Sequence, residues 1–403
     1  MKRLAHLRSA RGRVALSAHL LLLVALGCGG EGPVSSPSGG GDSDPSAPGI
    51  DAPDSSAAGA ESARTRPAKR DREALEAALQ MAPADLTMEL DPALIQAGDP
   101  PTFPAAVSVG GQAVRILREH HPDTGGLLRI YTALAAREGD GGRPILHGPE
   151  WSFFETGAQS ALSWWKEDVL HGPVKQWRPV GTLKFERLYV DGERDGLSRG
   201  YSKAGRLISE EIFEEGQRDG PLREWFASGE RKEEAEYVLG KRQGARKLFT
   251  RTGMPMRSEQ YVDGELHGRW SDFHGDTGKA KSYGSFEMGK RVGLWEEATE
   301  AGTIVASREY SAGELHGRTR IWAPDGTLIE ETVHAGGRKT GPARTWYSTG
   351  APQSEGHFQE GARQGRWIYW RKDGSLNEAW SGRYEDDVRI EPLDPSDPAL
   401  GGS

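Results

Sequence analysis

Glycine recurs in this 403-residue chain with a regularity that leaves little freedom in the choice of fold. Gly148, Gly172, Gly196, Gly220, Gly244 and Gly268 stand 24 residues apart, Gly293 follows after 25, and the 24-residue step resumes through Gly317, Gly341 and Gly365. A spacing held this long marks one supersecondary unit stacked on copies of itself. Two further ladders keep step with the first: Gly157, Gly181, Gly205, Gly229, Gly253, Gly278, Gly302, Gly326, Gly350 and Gly374, then Gly192, Gly216, Gly240, Gly264, Gly289, Gly313, Gly337 and Gly361. Aromatic residues form two more. The first runs Phe153, Trp177, Tyr201, Trp225, Phe249, Phe273, Trp322, Trp346, Trp370 and is broken at Ala298. The second runs Trp165, Tyr189, Phe213, Tyr237, Tyr261, Phe286, Tyr310, Phe358 and is broken at His334.

Three glycines per period rule out helical repeats, because each would cost a helix interior about 1 kcal/mol. They mark backbone turns instead. Runs with strand character, such as Leu183 to Val190 and Leu207 to Phe213, end at turn dipeptides such as Asp191-Gly192 and Asp325-Gly326. One hairpin is marginal alone, so each must bury its rings against the next. The expected fold is all-β: an elongated repeat array of antiparallel β-hairpins with a 24-residue period, forming a single extended twisted sheet that advances roughly 9 to 10 Å per repeat.

The segments Tyr261-Val262-Asp263-Gly264-Glu265-Leu266-His267-Gly268-Arg269-Trp270 and Tyr310-Ser311-Ala312-Gly313-Glu314-Leu315-His316-Gly317 resemble MORN-type repeats, in the bacterial variant labelled as a YwqK-family antitoxin repeat. The resemblance covers about residues 110 to 385. It implies hairpins in an extended sheet and a role in binding or scaffolding, with no shared catalytic residue. Ala298 and His334 depart from the aromatic pattern, which bears on local packing there.

The ends of the chain differ in kind. Residues 1–27 read as an export signal: Lys2, Arg3, Arg8, Arg11 and Arg13 precede an apolar run from Val14 to Leu26. That run is shorter than the ~20 apolar residues a spanning helix needs. Cys28, the one cysteine of the chain, follows Gly27 in a context that resembles a bacterial lipobox, which implies lipidation and a membrane anchor without a spanning helix. Ala25 stands where that pattern usually has leucine, and a plain secretory peptide cut elsewhere is the alternative. Gly29 after the cysteine favours the outer membrane by the same resemblance. Residues 28–70 are rich in Gly, Ser, Pro, Ala and Asp and form a disordered tether. Residues 71–106 hold a short helix, with Leu75, Ala78 and Leu79 at helical spacing, and a Pro-rich linker. The array is expected over 107–387, opened by a degenerate capping repeat, and 388–403 is a flexible tail.

Composition narrows the partners. The formal charge of −8 becomes −13 once the signal's five cations are removed, and phosphate binding needs clustered cations. Nucleic acid is therefore not expected, whereas protein or glycan is. Lys and Arg alternate with Glu along the strands, as suits cross-strand ion pairs on a solvated face.

Apparent catalytic motifs dissolve on inspection. Gly196-Leu197-Ser198-Arg199-Gly200 has the spacing of a nucleophile elbow, but that motif needs a strand-turn-helix setting and Gly196 is a ladder rung. Gly284 to Lys290 mimics a phosphate-binding loop, with Arg291 where Ser or Thr would hold Mg²⁺. His147, His171, His267 and His316 each precede a ladder glycine, which duplication of a turn residue explains, and the adjacent pair His120-His121 sits beside Pro122-Asp123 in a loop. No catalytic residue, metal or cofactor is assigned.

Trp270, Trp295 and Trp367 fall three residues before the first aromatic position, an odd offset that turns them to the other face of the sheet. There they are candidates for an exposed recognition surface, unless loops cover that face or a bulge returns them to the core. The expected function is that of a non-enzymatic, membrane-anchored scaffold binding another envelope protein. An immunity-like protein that neutralises a toxin is a sharper variant, and a cell-wall glycan-binding module is the third reading.

Overall fold

The computed structural model describes residues 72–86, 88–89, 106–135 and 142–393. The export signal, Cys28, the tether, most of the Pro-rich linker and the last ten residues lie outside them. The described residues form one continuous antiparallel meander in which each strand pairs with its sequence neighbours, preceded by helix α1, Arg72–Ala78. The sheet is open, and the all-β hairpin array is what the glycine period requires.

One turn shows how sequence sets register. Strands Pro255–Val262 and Glu265–Leu266 are joined by Asp263 and Gly264, whose φ values of 51° and 88° are both positive. This is a two-residue type I′ turn, whose twist matches that of the flanking strands. It pairs Val262 with Glu265 and Tyr261 with Leu266. The other end of the hairpin uses a three-residue loop: around Gly229, φ 115°, the Phe226 N–H donates to the Glu230 carbonyl at 2.8 Å and the Gly229 N–H to the Phe226 carbonyl at 2.9 Å.

The third glycine ladder supplies the I′ turns and the second the three-residue loops, but the first, read above as turns, sits inside strands. Phe213 pairs with Arg218, and further along Glu210 pairs with Arg223. Two residues of the incoming strand therefore face four of the outgoing one, and Gly220, φ 129°, carries the bulge. The bulge frees a carbonyl that the next repeat uses. The Gly240 N–H, in the following I′ turn, donates to the Arg218 carbonyl at 2.8 Å, and Gly192, Gly216 and Gly264 repeat the contact on Leu170, Arg194 and Arg242. Beside it, Asp195, Asp219 and Gln243 accept from the backbone N–H of Glu215, Leu239 and Asp263. His171 holds the same position and takes the same role, its Nδ1 lying 3.4 Å from the Asp191 amide. His171 is thus a turn cap, whereas neither ring nitrogen of the buried His147 has a hydrogen-bond partner among the described residues.

Strand alternation places the two aromatic ladders on opposite faces of the sheet. Phe213 pairs with Gly196 on one side and Arg218 on the other, and the side of the sheet it occupies is called here the ring face; the positive φ of Gly196 aims its absent Cβ the other way, at Leu188 and Leu75. Tyr201 lies one residue past Gly200, which pairs with Ser209 of the ring face, and so points the other way. That opposite side, the strap face, carries the first ladder and α1.

With a single layer of strands, much of each face is only half-buried, as throughout Gln159–Lys166. Glycine therefore matters where a ring must lie flat on the backbone. A Cβ on Gly356 would sit 2.1 Å from the Trp367 ring, whereas one on Gly361 meets open space and only the strain of φ 96°. Gly356→Ala should cost about 2 to 3 kcal/mol through overpacking, and Gly361→Ala about 1 kcal/mol through its backbone. Urea unfolding followed by tryptophan fluorescence checks the order; equal costs would refute the packing argument.

Candidate binding surface

The three tryptophans singled out by their offset are on the face opposite the first ladder, but that face is not bare. Trp295 is 4% exposed and Trp367 3%, while Trp270 is half-buried. The ring of Trp295 packs on Phe286 at 5.1 Å and on Trp270 at 5.3 Å, and Trp367 packs on Phe358 at 4.9 Å. Both indoles lie over glycines outside the ladders, Gly284 and Gly356, and donate from Nε1 to the Ser285 and His357 carbonyls. An exposed tryptophan surface at Trp295 and Trp367 is thereby corrected: the bulge and the second ladder return them to packing.

The rings of the second ladder are separated by cations. Arg218 stacks on Phe213 at 5.9 Å and on Tyr237 at 5.5 Å, and Arg242 on Tyr237 at 5.9 Å and Tyr261 at 5.6 Å. Arg291 continues the column between Trp295 and Tyr310. The register explains it, since each arginine is cross-strand from one ring and one repeat from the next. Of the first ladder, Trp177, Trp225, Phe249, Trp322, Trp346 and Trp370 are half-buried on the strap face, as Tyr189 is on the ring face.

The strap face bears the most built arrangement in the protein. Leu75 and Leu79 of α1 and its extension pack on Leu188 and Leu197, with Ala78 and Ile212 at the margin, and Leu79 is fully buried. Around this apolar centre runs an ion network. Glu186 and Glu210 are each 3% exposed. Arg199 lies 3.0 Å from Glu210 and 3.7 Å from Glu186, and Arg223 3.3 Å from Glu210. The Tyr201 hydroxyl donates to Glu186, and burial together with that carboxylate pushes the phenol well above its ordinary value. Two groups of α1 join in: Arg72 reaches Glu210 at 3.2 Å and Glu76 reaches Arg199 at 2.7 Å. Hydrogen bonds from Arg72 and Arg199 hold the Glu76 carboxyl below the usual range. Downstream, Gln80 bonds Lys175, Pro83 lies against Gly172, Asp85 pairs with Lys166 at 2.6 Å, and Leu86 is buried with Val109 and Val114.

This strap was not singled out from sequence, yet a signal for its seat exists. At one strap-face position of successive repeats stand Trp164, Leu188 and Ile212, then Glu236 and Gln260. The apolar residues stop where α1 stops. No three His, Cys, Asp or Glu side chains among the described residues are grouped to hold a metal ion. Nor is any helix among them long and apolar enough to cross a membrane.

No family model matches the sequence, and no curated protein does. Among solved structures, the TcdB2-TccC3 crystal structure aligns with 68% of this chain and 18% of that one, at 11% identity and a TM-score of 0.17. A crystal structure of TcdB2-TccC3-Cdc42 gives the same coverages at 12% identity and a TM-score of 0.16. The chain spans less than a fifth of those chains, and a likeness at that level carries no argument about role.

One buried group beside the strap makes a pH prediction. His147 is 2% exposed, and burial pushes its imidazole below the ordinary value of 6.5. The unfolded chain takes up this proton as pH falls through that value while the folded cap does not. Stability is therefore full above it and falls below it, by at most ~1.4 kcal/mol per pH unit. Urea midpoints at pH 7.5 and 5.5 should differ less in His147→Leu than in the wild type; an unchanged difference would contradict this.

Proposed function

We propose that this protein is an exported, lipid-anchored scaffold that binds another protein through its sheet, without catalysing a reaction. The observation that carries the reading is that the strap face seats an amphipathic segment through side chains, with two leucines and the ion pairs of Arg72 and Glu76, and among the described residues no backbone hydrogen bond joins α1 to the strands. A surface that takes one such segment has the chemistry of helix-in-groove recognition. Farther along the same face, cross-strand pairs such as Arg320 with Glu331 and Arg344 with Glu355 keep the sheet polar.

The resemblance to MORN-type repeats supports the same reading, and its antitoxin label supports an immunity-like variant in which the partner is a toxin. Glycan binding is the weaker reading, since two of the three tryptophans it relies on are packed away.

Anchoring by Cys28 has a direct test. Cys28→Ala should move the protein from the membrane fraction to the soluble periplasmic fraction with no change in its β-sheet circular dichroism. Retention of that variant in membranes would refute the anchor. Purified peptidoglycan should fail to retain the wild type; retention that is lost on Trp270→Ala would establish the glycan reading instead.

A further inference from the structure

The geometry points to a specific receptor site: the strap-face patch of Leu188, Leu197 and Ile212, framed by Arg199 and Glu210, takes an amphipathic helix of a partner protein, and α1 is its built-in, displaceable occupant. The inference rests on the reading of the protein as a protein-binding scaffold and names the surface and the partner's chemistry.

Receptor and occupant are unequal in how they are held. On the receptor side every strand is fixed by ladder hydrogen bonds to both neighbours, as strand Glu193–Tyr201 is to the strands before and after it. Its charges are already satisfied within the sheet, because Arg199 keeps Glu186 and Glu210 whether or not α1 is present, and Tyr201 and Lys175 hold Glu186. Such a site is preorganised and loses nothing by waiting. The occupant is the reverse. Helix α1 has seven residues, far fewer than a helix needs to persist alone, and it touches the sheet by side chains only.

The contacts define what fits. Arg72, Leu75, Glu76 and Leu79 read R-x2-L-E-x2-L. The leucines, four apart, fill the apolar centre, the acid meets Arg199 and the base meets Glu210. A partner helix with this pattern makes the same contacts, and a longer one also reaches past Ile212 toward Glu236, which holds the same position in the next repeat. In cis, α1 competes at the high effective concentration of a tethered segment. The patch therefore opens only to a partner that binds better or arrives at high local density.

The test uses the full-length protein and a fluorescent peptide of residues 69–86. Leu75→Asp combined with Leu79→Asp empties the patch, and Leu75→Ala with Leu79→Ala does so more gently should the first pair disturb folding. Peptide anisotropy should show binding to either emptied variant at least tenfold tighter than to the wild type. Adding Leu197→Asp to the emptied receptor should abolish it, with the sheet's circular dichroism intact. Hydrogen exchange on the wild type should find the α1 amides exchanging at least a hundredfold faster than those of residues 197–201. Protection of α1 equal to that of the strands would overturn the proposal, as would absence of peptide binding to both emptied variants or binding indifferent to Leu197→Asp. Light scattering should give a wild-type monomer; a dimer that falls apart in the emptied variants would make the occupant a second copy's α1 and refute a partner helix. None of these outcomes depends on Cys28, so failure of the anchor and failure of the receptor site are told apart.

Discussion

The hydrogen bond from the glycine of each I′ turn to the bulge carbonyl of the repeat before it is the constraint on which the array depends. A single-layer sheet has no interior to pull its repeats together, and its ladder bonds alone would leave the turn edge free to fray. The bulge at Gly220 exists because two extra residues turn the Arg218 carbonyl out of the ladder, toward the Gly240 amide. Register, turn type and inter-repeat cohesion thus follow from one device repeated every 24 residues. Stability in such a system is a sum of nearest-neighbour terms, so no distant core compensates a weak repeat.

Both faces then have to be kept in water, which explains the chemistry of the rows. On the ring face, arginines between the rings cover their π-faces while leaving the guanidinium edges wet. On the strap face, carboxylates and cations alternate across strands. Under the strap this pattern gives way to Leu188, Leu197 and Ile212, and there the buried Glu186 and Glu210 are paired by Arg199 and its neighbours.

The glycine and aromatic ladders made the hairpin array legible, since positive φ and recurrent burial leave few other uses for those residues. The faces are legible too: a two-residue turn at Asp263-Gly264 fixes the pairing of Tyr261 with Leu266, and counting on by twos puts Phe273 on the other side. What hid this was the first glycine ladder. Glycine before a turn and glycine in a bulge look alike in sequence, and only the register distinguishes them. The placement of α1 was beyond local reasoning, because Leu75 meets Leu188 and Leu197 across more than a hundred residues. The shift from Leu188 and Ile212 to Glu236 was the available clue.

The break in period between Gly268 and Gly293 shows how much irregularity nearest-neighbour cohesion absorbs. The extra residue lengthens the loop around Gly278, and the first ladder loses its ring at Ala298, at the end of the second strand after it. His274, at the start of that loop, turns its Nε2 to the Ala298 carbonyl at 2.9 Å, much as Tyr347 reaches the Trp370 carbonyl at another loop edge. On the ring face at the same level, Trp270, Phe286, Trp295 and Tyr310 make the densest ring contacts of the array. Packing lost on one face at Ala298 is therefore offset on the other face of the same strand, where Trp295 is buried. A strand in a single layer answers to both faces at once, and a repeat that lacks one ring survives by leaning harder on the opposite side.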